Sequence, residues 1–570
     1  MDLDSGTLTD PAGSAPRVPA AGTTEAAPER RPVWTTRNVL IATLCALGVG
    51  AIAVAAWSLS TGGIGWDAPT DTTSALQVRA IPSSDSLTQA YNAVDSSSEF
   101  YGVFIQQSAD LLHRILTGST QRLQPYDATT NLYQGGFTLA LSVLSVAALA
   151  IAVGYAFRSA LAAAFAWSLT LATPLWLGLS HLDFKDVPVA AGLNLVSAGL
   201  ILSIAIQTRR KATLLAVLLA GSGASVALAT RPGSLLLLAA FFGTTCAAFG
   251  VWAWWRGRPR AVLPSVIAAI AAIPTALAVV WATNPIARID LVQWLHQSSQ
   301  IALAYPWNDP ILVAGHNLRA GHLPWWYVPA WLGAQLPLLT IVALVVGLGV
   351  LGAAIFRRRV TTTGNPADAD RMITLVPLAL QAIVIPVGIL LSGAVIYDGI
   401  RHVLFMVPAL IALAAAGLAL LDRRLASRRG WRIVLPLLAT LAVAASLLDS
   451  ARWAPYAYAY INPIAGHNTR TQSWELDFWG ASAREGVARL HKDGLTSVAV
   501  QPSEGVGLPF GGVRYTGTFG PNAGIYVFSR WGLTAASFGC TVLFTIKRDG
   551  HELGEGAKCP PHTTTAGFPG

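Results

Sequence analysis

Residues 181–211 read HLDFKDVPVAAGLNLVSAGLILSIAIQTRRK, which is a charged loop, an apolar run and a basic cluster in succession. The apolar part, residues 188–207, is long enough to cross a hydrocarbon core of about 30 Å as an α-helix. Apolar runs of about 18 to 24 residues recur from residue 38 to residue 449, and no soluble core needs so many. The stretch therefore predicts one transmembrane helix of an α-helical polytopic membrane protein.

The composition of the whole chain agrees with this prediction. Of its 570 residues, 53% are hydrophobic and 12% are charged, whereas soluble globular domains have roughly 25% charged residues. The net charge is +9, but the basic residues fall mainly in short loops between apolar segments, as the positive-inside rule describes for cytoplasmic loops. The positive charge therefore indicates topology, and we expect no nucleic-acid partner.

The apolar segments predict about 11 transmembrane helices, with the N-terminus in the cytoplasm. This orientation places the dense basic clusters, such as those at 209–211 and 357–359, on the cytoplasmic side. The predicted spans lie near residues 38–60, 137–157, 161–180, 188–207, 212–230, 234–255, 262–282, 329–356, 372–396, 402–421 and 432–449.

The predicted organisation has three parts. Residues 1–36 are rich in Pro, Ala, Thr and Ser and lack a hydrophobic pattern, which is typical of a disordered cytoplasmic leader. Residues 37–449 form the transmembrane domain, which includes a long first external loop at 61–136. Residues 450–570 are expected to form a small extracytoplasmic α/β domain.

The pattern of this C-terminal domain predicts a helix followed by strands. Ser482 and Glu485 have the spacing of a capping box, and Gly494 marks the end of the helix. Cys540 and Cys559 could form a disulfide only if the domain lies outside the cytoplasm, and the sequence leaves their pairing open. Apolar, β-rich runs follow the helix at 496–501, 524–528 and 541–546.

Three polar segments at the boundaries of predicted spans hold the candidate site. They read GWDAPTD at 65–71, HLDFKDVP at 181–188 and YDGIRH at 397–402. Charged groups near hydrocarbon are costly and mark functional sites, and the predicted topology places all three segments on the outer side. Carboxylates beside Lys, Arg and His suit a general base for an acceptor hydroxyl and cations for a phosphate leaving group. A sugar joined to a lipid phosphate is the matching substrate class.

These segments resemble motifs of the C-class glycosyltransferases, which use lipid-phosphate sugars, and in particular the bacterial branch similar to protein O-mannosyltransferases. Trp66, Asp67 and Pro69 match the Trp-Asp-Glu-Pro motif of that family, and Ala68 replaces its glutamate. The other matches, in chain order, are Lys185, Asp186 and Pro188; Pro324, Trp325, Trp326, Tyr327 and Pro329; Asp398, Gly399, Arg401 and His402; and Tyr460, Asn462, Glu475, Asp477, Trp479 and Gly480.

The resemblance implies roles for the matched residues. Asp67 is the expected catalytic base, and Asp186 is expected to orient the acceptor or the donor as a second catalytic carboxylate. Ala68 leaves open an altered acceptor choice, a reliance on Asp71 or a reduced activity. Phosphate and substrate binding is expected from the other charged residues of the segments, namely Lys185, Arg401, His402, Asp398 and Asp71.

The resemblance also implies an activity: an inverting, mannosyltransferase-like hexosyltransferase of the cell membrane. The expected partners are a polyprenyl-phosphate sugar donor, membrane lipid, and a glycan, lipid or protein acceptor in the cell envelope. We expect no cofactor, and His316 and His322 lack the spacing of metal ligands. Two other interpretations stay open, a transporter or flippase and a degenerate protein that binds a lipid-linked sugar without turning it over.

Four of the candidate residues also have a purely structural explanation. Asp67 could cap a helix that begins near Thr70, and Asp186 could cap the span that follows it. Arg401 and His402 could be interfacial anchors, although an arginine on the outer side runs against the charge bias. The geometry of the folded chain decides how far these explanations suffice.

Overall fold

The structure, a computed structural model, describes residues 35–83, 85–94, 96–360, 366–467, 473–514 and 519–561. Residues 1–34, which make up nearly all of the predicted leader, lie outside the described residues. Within the described residues, ten helices are long and apolar enough to cross a membrane. The chain is therefore a multi-pass, mainly helical membrane protein, as predicted.

Long spanning helices are joined by loops that hold short helices, except that one span, Asp370–Leu391, is itself made of several short helical segments with a π-helical stretch at Leu380–Val384. Up to the first hairpin they are α1 (Thr36–Thr61), α2 (Ala68–Ala80), α3 (Leu87–Asn92), α4 (Phe104–Thr117), α5 (Ala128–Ala156), α6 (Ala160–Ala172), α7 (Pro174–Leu179), α8 (Asp186–Ala205), α9 (Arg209–Thr230), α10 (Ser234–Trp255), α11 (Leu263–Thr283), α12 (Pro285–Ile289) and α13 (Leu291–Leu303). The hairpin pairs β1 (Pro310–Val313) with β2 (His316–Arg319). It is followed by α14 (Tyr327–Gln335), α15 (Leu338–Val360), α16 (Pro366–Ile373), α17 (Val376–Ala379), α18 (Ile385–Leu391), α19 (Met406–Leu425), α20 (Trp431–Trp453), α21 (Pro463–Gly466) and α22 (Ala483–Lys492).

Two predicted spans are interrupted at prolines. The span expected at 161–180 is split into α6 and α7, because α6 ends before Thr173 and Pro174 starts a new helix. With 13 residues, α6 is too short to be counted among the ten helices, although α6 and α7 together cover the predicted segment, which accounts for the difference between ten helices and the predicted eleven spans. The span expected at 329–356 is likewise divided, at Pro337, into α14 and α15.

An ion pair between α1 and α19 marks one end of the bundle. Arg37, at the start of α1, lies 2.7 Å from Asp422 near the end of α19. The other ends of these two helices therefore lie together at the opposite end of the bundle. Asp67 follows α1 and Arg401 precedes α19. The candidate segments that contain them therefore lie at the end of the bundle away from Arg37.

A four-stranded sheet forms the core of the C-terminal domain. Its strands are β3 (Ser497–Gln501), β4 (Ala523–Phe528), β5 (Thr541–Arg548) and β6 (His551–Lys558), in the order β3-β4-β6-β5, and only the β3–β4 pair is parallel. The sequence predicted the first three strands but not β6, whose HELGEGAK run is poor in strand-forming residues. A disulfide joins Cys540 to Cys559.

The predicted capping box of α22 is wrong. The helix spans Ala483–Lys492 and Gly494 follows it at a φ of 85°, as expected, but Ser482 makes no capping hydrogen bond. The Ser482 hydroxyl donates instead to the buried carboxylate of Asp477. Glu485 accepts a hydrogen bond from Arg548 at 2.8 Å. Ser482 and Glu485 therefore bind side chains outside the first turn of the helix instead of capping it.

Close packing of α15 against α19 leads to a stability prediction. A Cβ atom at Gly417 would overlap the backbone oxygen of Gly347, so the two helices approach closely only because both residues are small. Gly417→Ala is expected to lower the free energy of unfolding by about 1–3 kcal/mol, the usual cost of overpacking. Denaturation of the purified protein in detergent measures the change.

The matched control for this prediction is Gly349→Ala, in α15 two residues after Gly347. Among the described residues, nothing lies within 4 Å of a Cβ built at Gly349. This substitution is expected to be neutral or slightly stabilising, since alanine favours a helix over glycine. Equal decreases in the free energy of unfolding for both variants would contradict the packing argument.

Candidate active site

The three polar segments meet at one end of the bundle. Lys185, in the turn before α8, has its Nζ atom 3.4 Å from Asp67 Oδ2. Arg401, in the turn before α19, has its Nη1 atom 3.8 Å from the same oxygen. Asp67 occupies the N-cap position of α2, but its side chain makes no capping hydrogen bond. Its carboxylate therefore faces the two cations and not its own helix.

The turn before α8 is held by Asp183. Its Oδ1 atom accepts hydrogen bonds from the backbone N–H groups of Lys185 and Asp186, at 2.9 and 2.7 Å. This caps the helix and directs the Lys185 ammonium toward Asp71, 2.7 Å away, and over the ring of Tyr101, 4.7 Å from its centroid. Burial raises the pKa of Asp71 to about 6, against the opposing effect of Lys185.

Arg401 connects the carboxylates of the site. Its side chain is buried, and its guanidinium nitrogens lie 3.1 Å from Asp186 and 3.5 Å from Asp398. The rings of Tyr397 and Trp479 lie against the guanidinium carbon, with centroids at 4.7 and 5.3 Å. Such an enclosed, paired cation is held in one place and can act on a substrate without rearranging.

Asp186 lies between two arginines. Besides Arg401, it pairs with Arg231 Nη2 at 2.8 Å, through its other carboxylate oxygen. Its side chain is only 5% exposed. Asp186 is the first residue of α8, and the capping contacts come from Asp183. The geometry therefore fits a carboxylate that positions two cations.

Asp67 is the most accessible of these carboxylates. Its side chain is 34% exposed, whereas those of Asp71 and Asp398 are 8% and 3% exposed. Burial acts to raise the pKa of Asp67, but Lys185 and Arg401 hold it below its ordinary value. Asp67 is therefore ionised at neutral pH and can be reached by a substrate.

A cavity of about 470 Å³ opens beside this cluster. Asp186, Arg231 and His402 line its polar end. Burial, aided by the charge of Arg401, lowers the pKa of His402 to about 3, so its ring is neutral at physiological pH. The remaining wall is largely apolar and comes from several spanning helices, including Val189, Leu237, Phe241, Val384, Ile385 and Phe405. The cavity suits a ligand with a hydrocarbon part and an anionic head.

The C-terminal domain completes the charged cluster. Arg530, just after β4, has a buried side chain whose Nη2 atom lies 3.1 Å from Asp398 Oδ1. The rings of Trp66 and Trp531 lie 4.6 and 5.2 Å from the Arg530 guanidinium carbon. Asp398 is thus shared by Arg530 and Arg401, and it joins the C-terminal domain to the membrane site.

No protein-family profile matches the chain, and no curated protein sequence matches it. Solved structures with a similar course of the chain include ArnT from Cupriavidus metallidurans bound to undecaprenyl phosphate, with 14% identity, 90% of this chain and 97% of that chain covered, and a TM-score of 0.40. The apo oligosaccharyltransferase of Archaeoglobus fulgidus has 11% identity, covers 83% and 64% of the two chains, and has a TM-score of 0.44. Both are distant in shape as well as in sequence.

Two of the remaining predicted motif residues donate structural hydrogen bonds to backbone oxygens. Tyr327 donates a hydrogen bond to the backbone oxygen of Gly399 at 2.8 Å, and Asn462 donates to that of Leu336 at 3.1 Å. Trp325, in contrast, is 81% exposed and lies outside the cluster. Among the described residues, no group of three or more His, Cys, Asp or Glu side chains has a metal-binding arrangement.

Sequence reasoning missed two arginines of the site. Arg231 could have been found from the sequence, because it lies in an Arg-Pro-Gly turn between two predicted spans. This turn falls on the side of the membrane where basic residues are sparse, and Arg401 falls on the same side. Nothing in the sequence pointed to Arg530, since it lies in the polar C-terminal domain, where an arginine is common. Only the tertiary structure brings it to Asp398.

Proposed function

We propose that this chain is a membrane glycosyltransferase that moves a sugar from a polyprenyl-phosphate donor to an acceptor hydroxyl on the outer face of the membrane. The observation that carries the proposal is the apolar cavity that ends at Asp186, Arg231 and His402. A lipid phosphate has the matching chemistry, a hydrocarbon chain and an anionic head. Asp67, the accessible carboxylate, lies beside that end across Arg401.

The donor would bind with its lipid chain in the cavity and its phosphate at the polar end. Arg231 supplies a planar donor group already held by Asp186, and neutral His402 supplies a single hydrogen bond. Embedding the site in the membrane follows from this substrate, because a polyprenyl chain cannot leave the bilayer at low cost.

The chemical step in this proposal is a single displacement. The acceptor hydroxyl gives its proton to the Asp67 carboxylate while its oxygen attacks the anomeric carbon of the sugar. The bond from that carbon to the phosphate oxygen breaks, and the electron pair leaves with the polyprenyl phosphate. Arg401 and Lys185 stabilise the charge that develops, and the configuration of the sugar inverts.

Alanine stands at position 68, where the family motif has glutamate, and the other carboxylates of the site have distinct contacts. Residue 68 is a buried alanine, so no second carboxylate directly follows Asp67. Asp71 holds Lys185 at 2.7 Å, and Asp186 holds Arg231 and Arg401. We assign Asp67 as the base and both other aspartates as positioning residues.

Two features support an active site on the outer side. The Cys540–Cys559 disulfide is typical of an oxidising compartment, and its domain supplies Arg530 to the site. The basic ends of α1 and α19 lie at the opposite end of the bundle, where the positive-inside rule predicts the cytoplasm. Hexosyl transfer of the mannosyl type to a cell-envelope acceptor is the finer form of the proposal, and it rests on the sequence resemblance.

Donor cleavage tests this function directly. The purified chain in proteoliposomes receives a radiolabelled polyprenyl-phosphate hexose and a cell-envelope extract, and the label is followed from the lipid phase into the acceptor. We expect acceptor labelling with release of polyprenyl phosphate. Movement of intact donor between leaflets would instead favour a flippase, and binding without movement or cleavage would favour a degenerate protein.

Arg231→Lys is expected to raise the KM for the donor about tenfold, with a smaller change in kcat. Lysine keeps the charge but loses the planar pair of donors that a phosphate and Asp186 require. Steady-state transfer at varied donor concentration measures the two constants. Arg288→Lys, an exposed arginine in α12, is the matched control and should leave both unchanged. Equal KM values for the two variants would contradict the donor site.

A further inference from the structure

A second cavity, of about 170 Å³, lies between the C-terminal domain and the external β1–β2 hairpin. The hairpin contributes Leu312 and Asn317 to its wall, and the segment after the last span contributes Trp474 and Glu475. The turn after β4 contributes residues 529–532. Since three separate parts of the chain meet here, the cavity is a feature of the tertiary fold. Nothing in the proposed donor chemistry uses it.

The charges in this cavity are balanced. Arg530 is paired with Asp398 at 3.1 Å and lies 4.0 Å from Glu475. The Nε atom of Arg530 is buried without a hydrogen-bond acceptor among the described residues. Arg530 and Glu475 are the charged side chains that line the cavity, and their charges are opposite in sign. The cavity therefore suits an uncharged ligand that offers hydroxyl oxygens.

The remaining wall combines aromatic surface with groups that both donate and accept hydrogen bonds. The indole rings of Trp474 and Trp531 lie beside the side chains of Asn317 and Ser529. Burial raises the pKa of Glu475 to about 7, so its carboxyl group can serve in either role. A pyranose ring presents apolar C–H faces together with hydroxyl groups, which is the complement of this lining.

The backbone at Trp531 is held in an uncommon conformation. Its φ is 56°, in the left-handed region that is rare for residues other than glycine, and its N–H donates to Glu475 Oε1 at 3.2 Å. Such conformations cost free energy and cluster at ligand-binding sites. The indole of Trp531 packs edge-on against Trp66, with ring centroids 5.7 Å apart, and Trp66 directly precedes Asp67.

We infer that this cavity is an acceptor subsite that binds one pyranose unit of a glycan acceptor. The inference rests on the proposed function and specifies its acceptor. A unit held against Trp474 and Trp531 would place the neighbouring unit of the same glycan along Trp66, beside the Asp67 carboxylate. The acceptor is then a carbohydrate of at least two units, and the subsite positions its reactive hydroxyl.

Acceptor length and two variants test the subsite. The full-length protein in nanodiscs receives the labelled donor and a series of α-linked hexose oligosaccharides of one to six units. We expect the acceptor KM to fall at least tenfold from one unit to two. Trp531→Leu and Asn317→Ala are each expected to raise the KM for longer acceptors about tenfold, with a smaller change in kcat. Trp325→Leu, an exposed tryptophan of the same external region, is the matched control.

Binding of the same oligosaccharides, measured by saturation-transfer NMR without donor, separates this inference from the proposed function. Binding that Trp531→Leu abolishes would support the subsite even if no donor were cleaved. Donor cleavage with an acceptor KM that neither variant changes would overturn the subsite and leave the proposed function standing. Exclusive transfer to a peptide or a lipid headgroup would also overturn it.

Discussion

Asp67→Asn is expected to reduce sugar transfer by about 100- to 10,000-fold, the usual contribution of a general base. The amide has nearly the same shape as the carboxylate but cannot accept the proton of the acceptor hydroxyl. Asp67 is about a third exposed and lies at the junction of Lys185 and Arg401, so no buried ion pair depends on it alone. The measurement is the single-turnover rate with saturating labelled donor.

The matched control is Asp549→Asn, in the exposed turn between β5 and β6. Asp549 has a φ of 48°, a conformation that asparagine tolerates well, so this variant should keep full activity. Donor binding by Asp67→Asn should also stay close to that of the wild type. A transfer rate for Asp67→Asn within a factor of three of the wild type would disprove the assignment of the base.

Arg401→Leu is expected to lower the free energy of unfolding by about 3–5 kcal/mol, the range for removing one partner of a buried ion pair. Its guanidinium group contacts Asp186, Asp398 and Asp67. Leucine would leave buried carboxylates without this compensation, and transfer would be lost as well. Thermal and chemical denaturation in detergent, together with the transfer assay, measure both effects.

Two comparisons separate the roles of Arg401 in folding and in transfer. Arg401→Lys keeps the positive charge, so it should recover most of the stability while transfer stays low, because one ammonium cannot reach three carboxylates. Arg452→Leu removes a half-exposed arginine at the end of α20 and should cost less than about 1 kcal/mol. Similar losses for Arg401→Leu and Arg452→Leu would contradict the description of Arg401 as the centre of the cluster.

Most of the membrane architecture was predictable, because a spanning helix is determined by local hydrophobicity. The errors fall where local rules compete with tertiary ones. Pro174 interrupts an apolar run that hydropathy alone treats as one span, and β6 is a strand because it pairs with neighbours on both sides. Ser482 has the sequence of a capping residue, yet the buried Asp477 carboxylate takes its hydroxyl.

The candidate site was predictable only in part, for a related reason. Their position at the boundaries of predicted spans identified the segments of Asp67, Lys185 and Arg401, and the same rule applied strictly would have added Arg231. The pairing of Asp186 with two arginines and the approach of Arg530 depend on how distant segments pack. The assignment to the C-class glycosyltransferases stays a prediction from ordered motifs.

The contact between Arg530 and Asp398 has a consequence for biosynthesis. Asp398 is made well before the ribosome reaches Arg530, which must then fold into the C-terminal domain. In the interval, Asp398 has Arg401 as its partner but not Arg530. The charged centre is therefore assembled in two stages, and a nascent chain that has all its spans in place still lacks a finished site until its C-terminal domain docks.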